Sequence, residues 1–239
     1  SMKIAIASGK GGTGKSTVAA NLAYTLARSR EVALVDCDVE EPNLHLFFPA
    51  PAVDVPVTTP VPEIDLGSCT FCGECGKFCR FGALSVLKDR VILFPELCHS
   101  CGGCSLVCPQ GAIGEVPRTV GRVACSRPLP ALTLISGVLN EGEVQAPTVI
   151  RATKMLAEGH PLILYDASPG IACPVIETLE GSDVCVLERG LPILMTIPFS
   201  REIAAVQNRG GLICRDLPGW EERFAGLFAE IVKIAGVSL

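Results

Sequence analysis

Ser8 to Thr17 reads Ser-Gly-Lys-Gly-Gly-Thr-Gly-Lys-Ser-Thr, and within it Gly9, Gly14, Lys15 and Ser16 fill the pattern G-x-x-x-x-G-K-[ST]. The chemistry of that pattern is phosphate binding. Its glycines let backbone N–H groups curl around phosphate oxygens, and a helix N-terminus adds partial positive charge. Lys15 would neutralise the terminal phosphates and Ser16 would offer its hydroxyl to magnesium. Gly9, Lys10, Gly11, Gly12, Thr13, Gly14, Lys15, Ser16 and Thr17 are therefore the candidate nucleotide-binding residues. Three carboxylates belong with them. Asp36 and Asp38 close the apolar run Val32–Val35, and Asp166 closes Pro161–Tyr165. In a parallel α/β sheet the ligand face lies at the carboxyl ends of the strands, on the same side as the loop. For Asp36 and Asp38 the alternative is a simple turn after a strand. Asp166 stands where a nucleotide triphosphatase of this loop type holds magnesium through water, and Pro169-Gly170 suits a loop that senses the γ-phosphate.

The second reactive set is cysteine. Eight of the thirteen cysteines fall into Cys69-x-x-Cys72-x-x-Cys75-x-x-x-Cys79 and Cys98-x-x-Cys101-x-x-Cys104-x-x-x-Cys108-Pro109. This is the bacterial ferredoxin ligand run, repeated, in which the fourth cysteine of each array serves the other cluster. It predicts one [4Fe–4S] cluster on Cys69, Cys72, Cys75 and Cys108, and a second on Cys98, Cys101, Cys104 and Cys79. Zinc in a Zn₂Cys₈ arrangement is the alternative. Arg80 stands where proline is usual after the first array, and its charge could raise a cluster potential. Of the remaining cysteines, Cys37 and Cys173 are expected near the nucleotide face as small buried residues, the alternative being exposed thiolates that bridge a further cluster across a dimer axis, and Cys125, Cys185 and Cys214 are expected in the core. No histidine is assigned a role.

The elements that must position these residues follow from apolar patterning. Met2–Ala7, Val32–Val35, Leu132–Ser136, Pro161–Asp166, Val184–Leu187 and Ile193–Ile197 read as short buried strands, and Ser16–Arg28, Pro147–Ala157, Ser200–Arg209 and Pro218–Ala235 as helices. The last carries Trp220, Phe224, Leu227, Phe228, Ile231 and Ile234 as one apolar stripe. Alternating strands and helices predict an α/β fold with a doubly wound, mainly parallel sheet. The proline-rich stretch Phe48–Pro62 cannot be a central strand and reads as an edge or connector. It marks a boundary. Residues 63–117 then form an inserted small α+β ferredoxin-like module, with a hairpin from Gly82–Val86 to Val91–Phe94, between the two parts of one domain, 1–62 and 118–239.

At 239 residues the chain can bury a sizeable core, and a net charge of −5 gives no reason to expect nucleic acid. Its longest uncharged stretch, Leu97–Gly114, is too polar for a membrane span. With no export signal evident, a reducing, cytoplasmic setting is expected, where clustered cysteines bind metal.

With these residues in place, the chain resembles the MinD/ParA/Mrp class of P-loop ATPases, which includes the nitrogenase iron protein. The resemblance rests on Lys10-Gly-Gly-Thr-Gly-Lys15-Ser-Thr, a deviant Walker A form, on Asp36-Cys-Asp38 and on Asp166-x-x-Pro-Gly170. It is most similar to members carrying an inserted ferredoxin domain. The broad group is often labelled as cobyrinic acid a,c-diamide synthase nucleotide-binding domains, a label that reflects the shared ATPase core. The resemblance implies ATP and Mg²⁺ as cofactors beside the two clusters, and a homodimer that sandwiches the nucleotide. It implies that Lys10 and Lys15 act on phosphates, Lys10 across the dimer, that Asp38 positions the attacking water, and that Ser16, Asp36 and Asp166 support magnesium. Asp166, Pro169 and Gly170 would form the switch segment. One departure follows Leu187, where the family continues through a further helix and strand whereas Glu188-Arg189-Gly190-Leu191-Pro192 comes at once. Either the natural chain is trimmed there, which weakens recognition of the base, or a disordered stretch of it is missing between Leu187 and Glu188; the second is the expectation.

Two functions fit these residues. In the first, ATP hydrolysis switches a dimer whose clusters pass electrons to a partner protein. In the second, the ATPase governs delivery of iron–sulfur clusters to an acceptor. A purely positional switch is disfavoured, because the C-terminal helix lacks a strongly basic face.

Overall fold

The computed structural model describes residues 1–187, 194–198 and 200–236. Its strands are β1 (Met2–Ala7), β2 (Val32–Asp36), β3 (Ala52–Ile64), β4 (Leu84–Val86), β5 (Val91–Leu93), β6 (Ile113–Leu129), β7 (Leu132–Leu139), β8 (Leu162–Asp166) and β9 (Val184–Leu187). Its helices are α1 (Lys15–Leu26), α2 (Glu74–Phe78), α3 (Gly103–Leu106), α4 (Ala146–Ala157), α5 (Cys173–Leu179), α6 (Arg201–Asn208), α7 (Ile213–Asp216) and α8 (Trp220–Ala235).

Seven strands form one sheet in the order β3-β6-β7-β2-β8-β1-β9. From β7 to β9 every pairing is parallel, and β6 and β3 are added antiparallel at one edge. The parallel strands are apolar throughout because both faces are covered, and their period of two sorts side chains between two cores. Met2, Ile4, Ile6, Leu34 and Leu164 pack on one side with α1, α7 and α8, through Leu22, Cys214 and Phe224 among others. Ala5, Ala33, Val35, Ile163 and Tyr165 face the other side against Val149 and Ile150 of α4. The doubly wound sheet expected from the pattern is the one observed.

One buried polar residue ties α1 to α7. Asn21 accepts the Cys214 N–H at 2.8 Å and donates to the Thr17 carbonyl at 2.8 Å. Asn21→Leu would leave the Cys214 N–H buried and unpaired, so a loss of about 1–3 kcal/mol of unfolding free energy in urea is expected.

The proline-rich stretch becomes the edge strand β3, paired only with β6. An edge tolerates Pro56, Pro60 and Pro62 because one side of the strand needs no donors. β6 pairs with β7 only between Gly121 and Leu129, so Thr58–Ile64 and Ile113–Thr119 run on as a two-stranded ribbon. At its tip sits the cysteine-bearing segment, with α2, the β4–β5 hairpin and α3. The boundaries at 62/63 and 117/118 fall inside these two continuous strands.

Several expectations are corrected. Leu194–Ile197 form no strand, and Ile193 lies outside the described residues, as does the Leu187–Glu188 junction. Ile234 leaves the apolar stripe of α8 and is 60% exposed, whereas Phe224, Leu227, Phe228 and Ile231 are buried. The strand β6 was not anticipated: Gly114, Pro117, Gly121 and Pro128 hide its pattern. Among the described residues no helix is long and apolar enough to cross a membrane.

Candidate functional site

The strand register assembles the nucleotide face. Asp36 lies opposite Asp166, and Ile6, two residues before Ser8, lies opposite Asp166 on its other side. Both carboxylates thus lie on one side of the start of the loop, Asp166 on the adjacent strand and Asp36 one strand further. The loop is braced by its own side chains: Ser8 Oγ donates to the Lys10 carbonyl at 2.7 Å and Thr13 Oγ1 to Ser8 Oγ at 3.0 Å. Gly12 and Gly14 adopt φ of 73° and 90°, which turns the backbone into the first turn of α1. Gly14 is the N-cap, with no side-chain cap and no acidic residue in the first turn, so the helix's free N–H groups are left to a ligand. Gly9, Lys10, Gly11 and Gly12 are exposed, and Lys15 and Ser16 open α1 half-buried. Thr17 is buried, and its hydroxyl bonds Gln207 of α6. Gly170 donates its N–H to the Ser8 carbonyl at 3.1 Å, and Ser168 Oγ donates to the Cys37 carbonyl at 3.1 Å. The segment Asp166–Gly170, including Pro169, is therefore laced to both the phosphate loop and the end of β2.

The carboxylates differ in their surroundings. Asp36 is fully buried and accepts the N–H groups of Asp38 (3.2 Å), Asn43 and Leu44 (3.0 Å each), so it shapes the loop after β2. Burial pushes its carboxyl up to about 7 despite these bonds. Burial and the neighbouring Asp36 push Asp166 up to about 8, against a hydrogen bond from Ser16 and the charge of Lys15. Asp166 Oδ1 is buried without any partner. An orphaned carboxylate oxygen beside the Ser16 hydroxyl fits a divalent cation, which would supply the missing contact and favour the charged form. Asp38 is half-buried, and its carboxyl is raised by burial against the opposing charge of Lys15. Cys37 is buried, where burial pushes its thiol up, but Cys173 is exposed at the start of α5, contrary to expectation. Cys214 is buried, and Cys125 and Cys185 pack half-buried against the core.

The cysteine segment folds as two related halves. Phe71 and Ser100, each two residues past the first cysteine of its array, adopt φ of 56° and 53°, and Gly73 and Gly102 follow at 84° and 69°. In each half the positive-φ turn aims an N–H back at a thiol: Phe71 to Cys69 Sγ and Ser100 to Cys98 Sγ, both at 3.4 Å. Ala112 donates to Cys108 Sγ at 3.3 Å. Burial raises the thiols of Cys75 and Cys104, the third cysteine of each array. Cys69, Cys72, Cys75 and Cys108 line one cavity. Cys79, Cys98, Cys101 and Cys104 line another, together with Phe78, Phe81 and His99. Phe81 and His99 stack with ring centroids 3.7 Å apart. Among the described residues no three Cys, His, Asp or Glu side chains converge closely enough to hold a single metal ion. The halves meet where α2 crosses α3: a methyl group on Gly103 would lie 2.1 Å from the Phe78 ring. Gly103→Ala is accordingly expected to lower the thermal midpoint of the protein, through a clash worth about 1–3 kcal/mol.

Three residues absent from the sequence reading join this segment to the sheet domain. Gln145, buried at the N-cap of α4, donates from Nε2 to the Cys98 carbonyl (2.9 Å) and to Ser100 Oγ (3.2 Å). Arg118 of β6 pairs with Glu143 and also donates to the Pro95 carbonyl at 3.4 Å. A glutamine before Ala-Pro carries no signal of this contact, which joins residues distant in sequence.

The family model for the CobQ/CobB/MinD/ParA nucleotide binding domain matches residues 4–213. Two uncharacterized proteins of Methanocaldococcus jannaschii are similar over most of the chain. One is 32% identical over 88% of this chain and 79% of its own length. The other is 31% identical over 76% of this chain, which spans 66% of that relative. An iron-sulfur cluster carrier protein of Pseudomonas fragi is 52% identical over 46 residues, 19% of this chain and 16% of its own. Among solved structures, the cell division ATPase MinD of Pyrococcus furiosus superposes with a TM-score of 0.53 at 20% identity, covering 98% of this chain and 99% of that one, a likeness of fold. Phosphate loop, neighbouring carboxylates and parallel sheet agree with these matches: the chain belongs to the CobQ/CobB/MinD/ParA nucleotide-binding domain family.

Proposed function

We propose that this chain hydrolyses ATP as a homodimer and that its nucleotide state governs electron transfer, through two [4Fe–4S] clusters, to an acceptor protein. In this reading residues 1–62 and 118–239 are the ATPase and 63–117 a ferredoxin-like insert. The observation that carries it is the composition of the two cavities: each is lined by three cysteines of one array and the fourth of the other. Such crossing interlocks the two halves and favours clusters that stay bound over clusters that leave. The turns at Phe71 and Ser100 add N–H donors to sulfur, a means of tuning cluster potential. When bound, the clusters supply one-electron chemistry that no side chain here can.

The ATPase roles follow from placement. The loop N–H groups and Lys15 hold and neutralise the phosphates, and Ser16 and Asp166, with Asp36 behind them, hold magnesium. Lys10, exposed at the loop's rim, reaches the phosphates bound by the partner subunit. Asp38, whose burial disfavours its charge, orients the attacking water. Gly170, already bonded to the Ser8 carbonyl, moves when the γ-phosphate leaves.

Anaerobic reconstitution tests the cluster assignment. About eight iron and eight sulfide per chain are expected. Two zinc ions per chain with no visible absorption would contradict it. A second reading, ATP-governed delivery of clusters, is favoured by the short similarity to cluster carriers and by the exposure of Cys72 and Cys101. ATP-dependent loss of clusters to an apo-acceptor would select it.

A further inference from the structure

We infer that Gln145 is the positioning residue that couples the nucleotide state to the second cysteine array, and to that array selectively. The connection is a continuous set of contacts. The segment Asp166–Gly170 leads within three residues into α5, which begins at Cys173. Two cations of α4 grip the other end of α5. Lys154 Nζ donates to the carbonyls of Glu177 (2.6 Å), Thr178 (3.0 Å) and Glu180 (2.6 Å), and Arg151 makes a two-toothed pair with Glu177 at 3.1 and 2.9 Å. Those carbonyls are the unsatisfied ones at a helix C-terminus, so Lys154 caps α5 while holding it to α4. A displacement of α5 is thus carried by α4 as a rigid body. At the far end of α4 sits Gln145, whose Oε1 accepts from Thr148 Oγ1 at 3.1 Å, leaving Nε2 to the Cys98 carbonyl and Ser100 Oγ.

What Gln145 holds is the positive-φ turn that aims the Ser100 N–H at Cys98 Sγ. Moving α4 therefore moves a donor at a thiol that lines the second cavity. The equivalent turn at Phe71 makes the same N–H contact with Cys69 and is held by its own segment, through Asp65 bonds to Gly67 and Ser68. Two halves alike in backbone thus differ in attachment to the sheet domain. Among the described residues only the second turn is tied to α4, the helix that grips α5 behind the switch.

The inference rests on the ATPase reading above, but not on cluster occupancy, so hydrogen–deuterium exchange of the full chain as purified can test it. The probe is a non-hydrolysable ATP analogue with magnesium. In the native protein, exchange over residues 95–102 is expected to change by roughly fivefold or more on adding it, the scale of one coupling interaction, with less than about a twofold change over residues 66–73. Gln145→Ala is expected to abolish the change at 95–102 while ATP hydrolysis continues. Ser100→Gly removes one of the two bonds, suits the positive φ, and keeps the test alive if Gln145→Ala fails to fold; an intermediate change is expected from it. A full nucleotide response in either variant overturns the inference, as does no response, or an equal response of both segments, in the native protein. Absent nucleotide binding would instead sink the ATPase reading, and absent iron the cluster reading.

Discussion

Asp166→Asn is expected to cut ATP hydrolysis by roughly a hundredfold or more, and at the same time to make the nucleotide-free protein harder to unfold at alkaline pH. The loss follows from the magnesium site, where Oδ1 of Asp166 is the buried oxygen left without a partner beside Ser16. The gain follows from linkage. In the unfolded chain an aspartate titrates near 3.9, whereas burial and Asp36 raise Asp166 to about 8 in the fold. A folded-state value above the unfolded one means that the stability contributed by the protonated carboxyl is fully present below pH 4. It is lost as pH rises through about 8. Asparagine, which cannot ionise, escapes that loss. The native protein and the variant should therefore unfold alike in urea near pH 4 and diverge steadily as pH rises, by roughly 4–6 kcal/mol at pH 8.5, in favour of the variant. Mg-ATP should reverse the order, because the cation stabilises the charged carboxylate that only the native protein has. Equal stabilities at pH 8.5 would show that the Asp166 carboxyl is not shifted by its surroundings.

The second large effect is a crossed loss of clusters. Cys108→Ala is expected to remove the cluster held by Cys69, Cys72 and Cys75, although Cys108 belongs to the other array. Cys79→Ala should remove the one held by Cys98, Cys101 and Cys104. Each variant should retain about four iron, and the two sets of cysteines should exchange their protection from alkylation between the variants. If Cys108→Ala instead exposes Cys98, Cys101 and Cys104, the arrays do not cross. The cavity linings argue for crossing, since Cys108 lies with the first three cysteines and Cys79 with the second.

How much of this was legible in the sequence depended on whether local pattern carried it. The parallel strands are short, apolar and bounded, and Asp36 and Asp166 end two of them, so their placement beside the phosphate loop followed from strand polarity alone. The cysteine spacings were equally local. β6 was not legible, because a ribbon strand buried at only a few points, such as Val120 and Val123, needs no continuous apolar run and tolerates Pro117. Leu194–Ile197 erred the other way: Leu194, Met195 and Ile197 are apolar because they pack on the core, without pairing as a strand. The contact of Gln145 with Cys98 spans two elements joined only by the tertiary fold, and no residue type announces it. The exposure of Cys173 is of the same kind, since a cysteine ahead of Pro174 reads alike whether buried or not.

Control of electron flow by the nucleotide is open to direct measurement. Reconstituted protein, chemically reduced under argon, can be mixed in a stopped-flow instrument with a low-potential viologen acceptor, and cluster bleaching followed without nucleotide, with Mg-ADP and with Mg-ATP. A reoxidation rate that differs between Mg-ATP and Mg-ADP is the expected result. In the Asp38→Asn protein, expected to bind ATP without cleaving it, the Mg-ATP rate should persist and not relax to the Mg-ADP rate as it would where ATP is consumed. Identical rates in all three nucleotide conditions, with both clusters intact, would contradict the coupling proposed here.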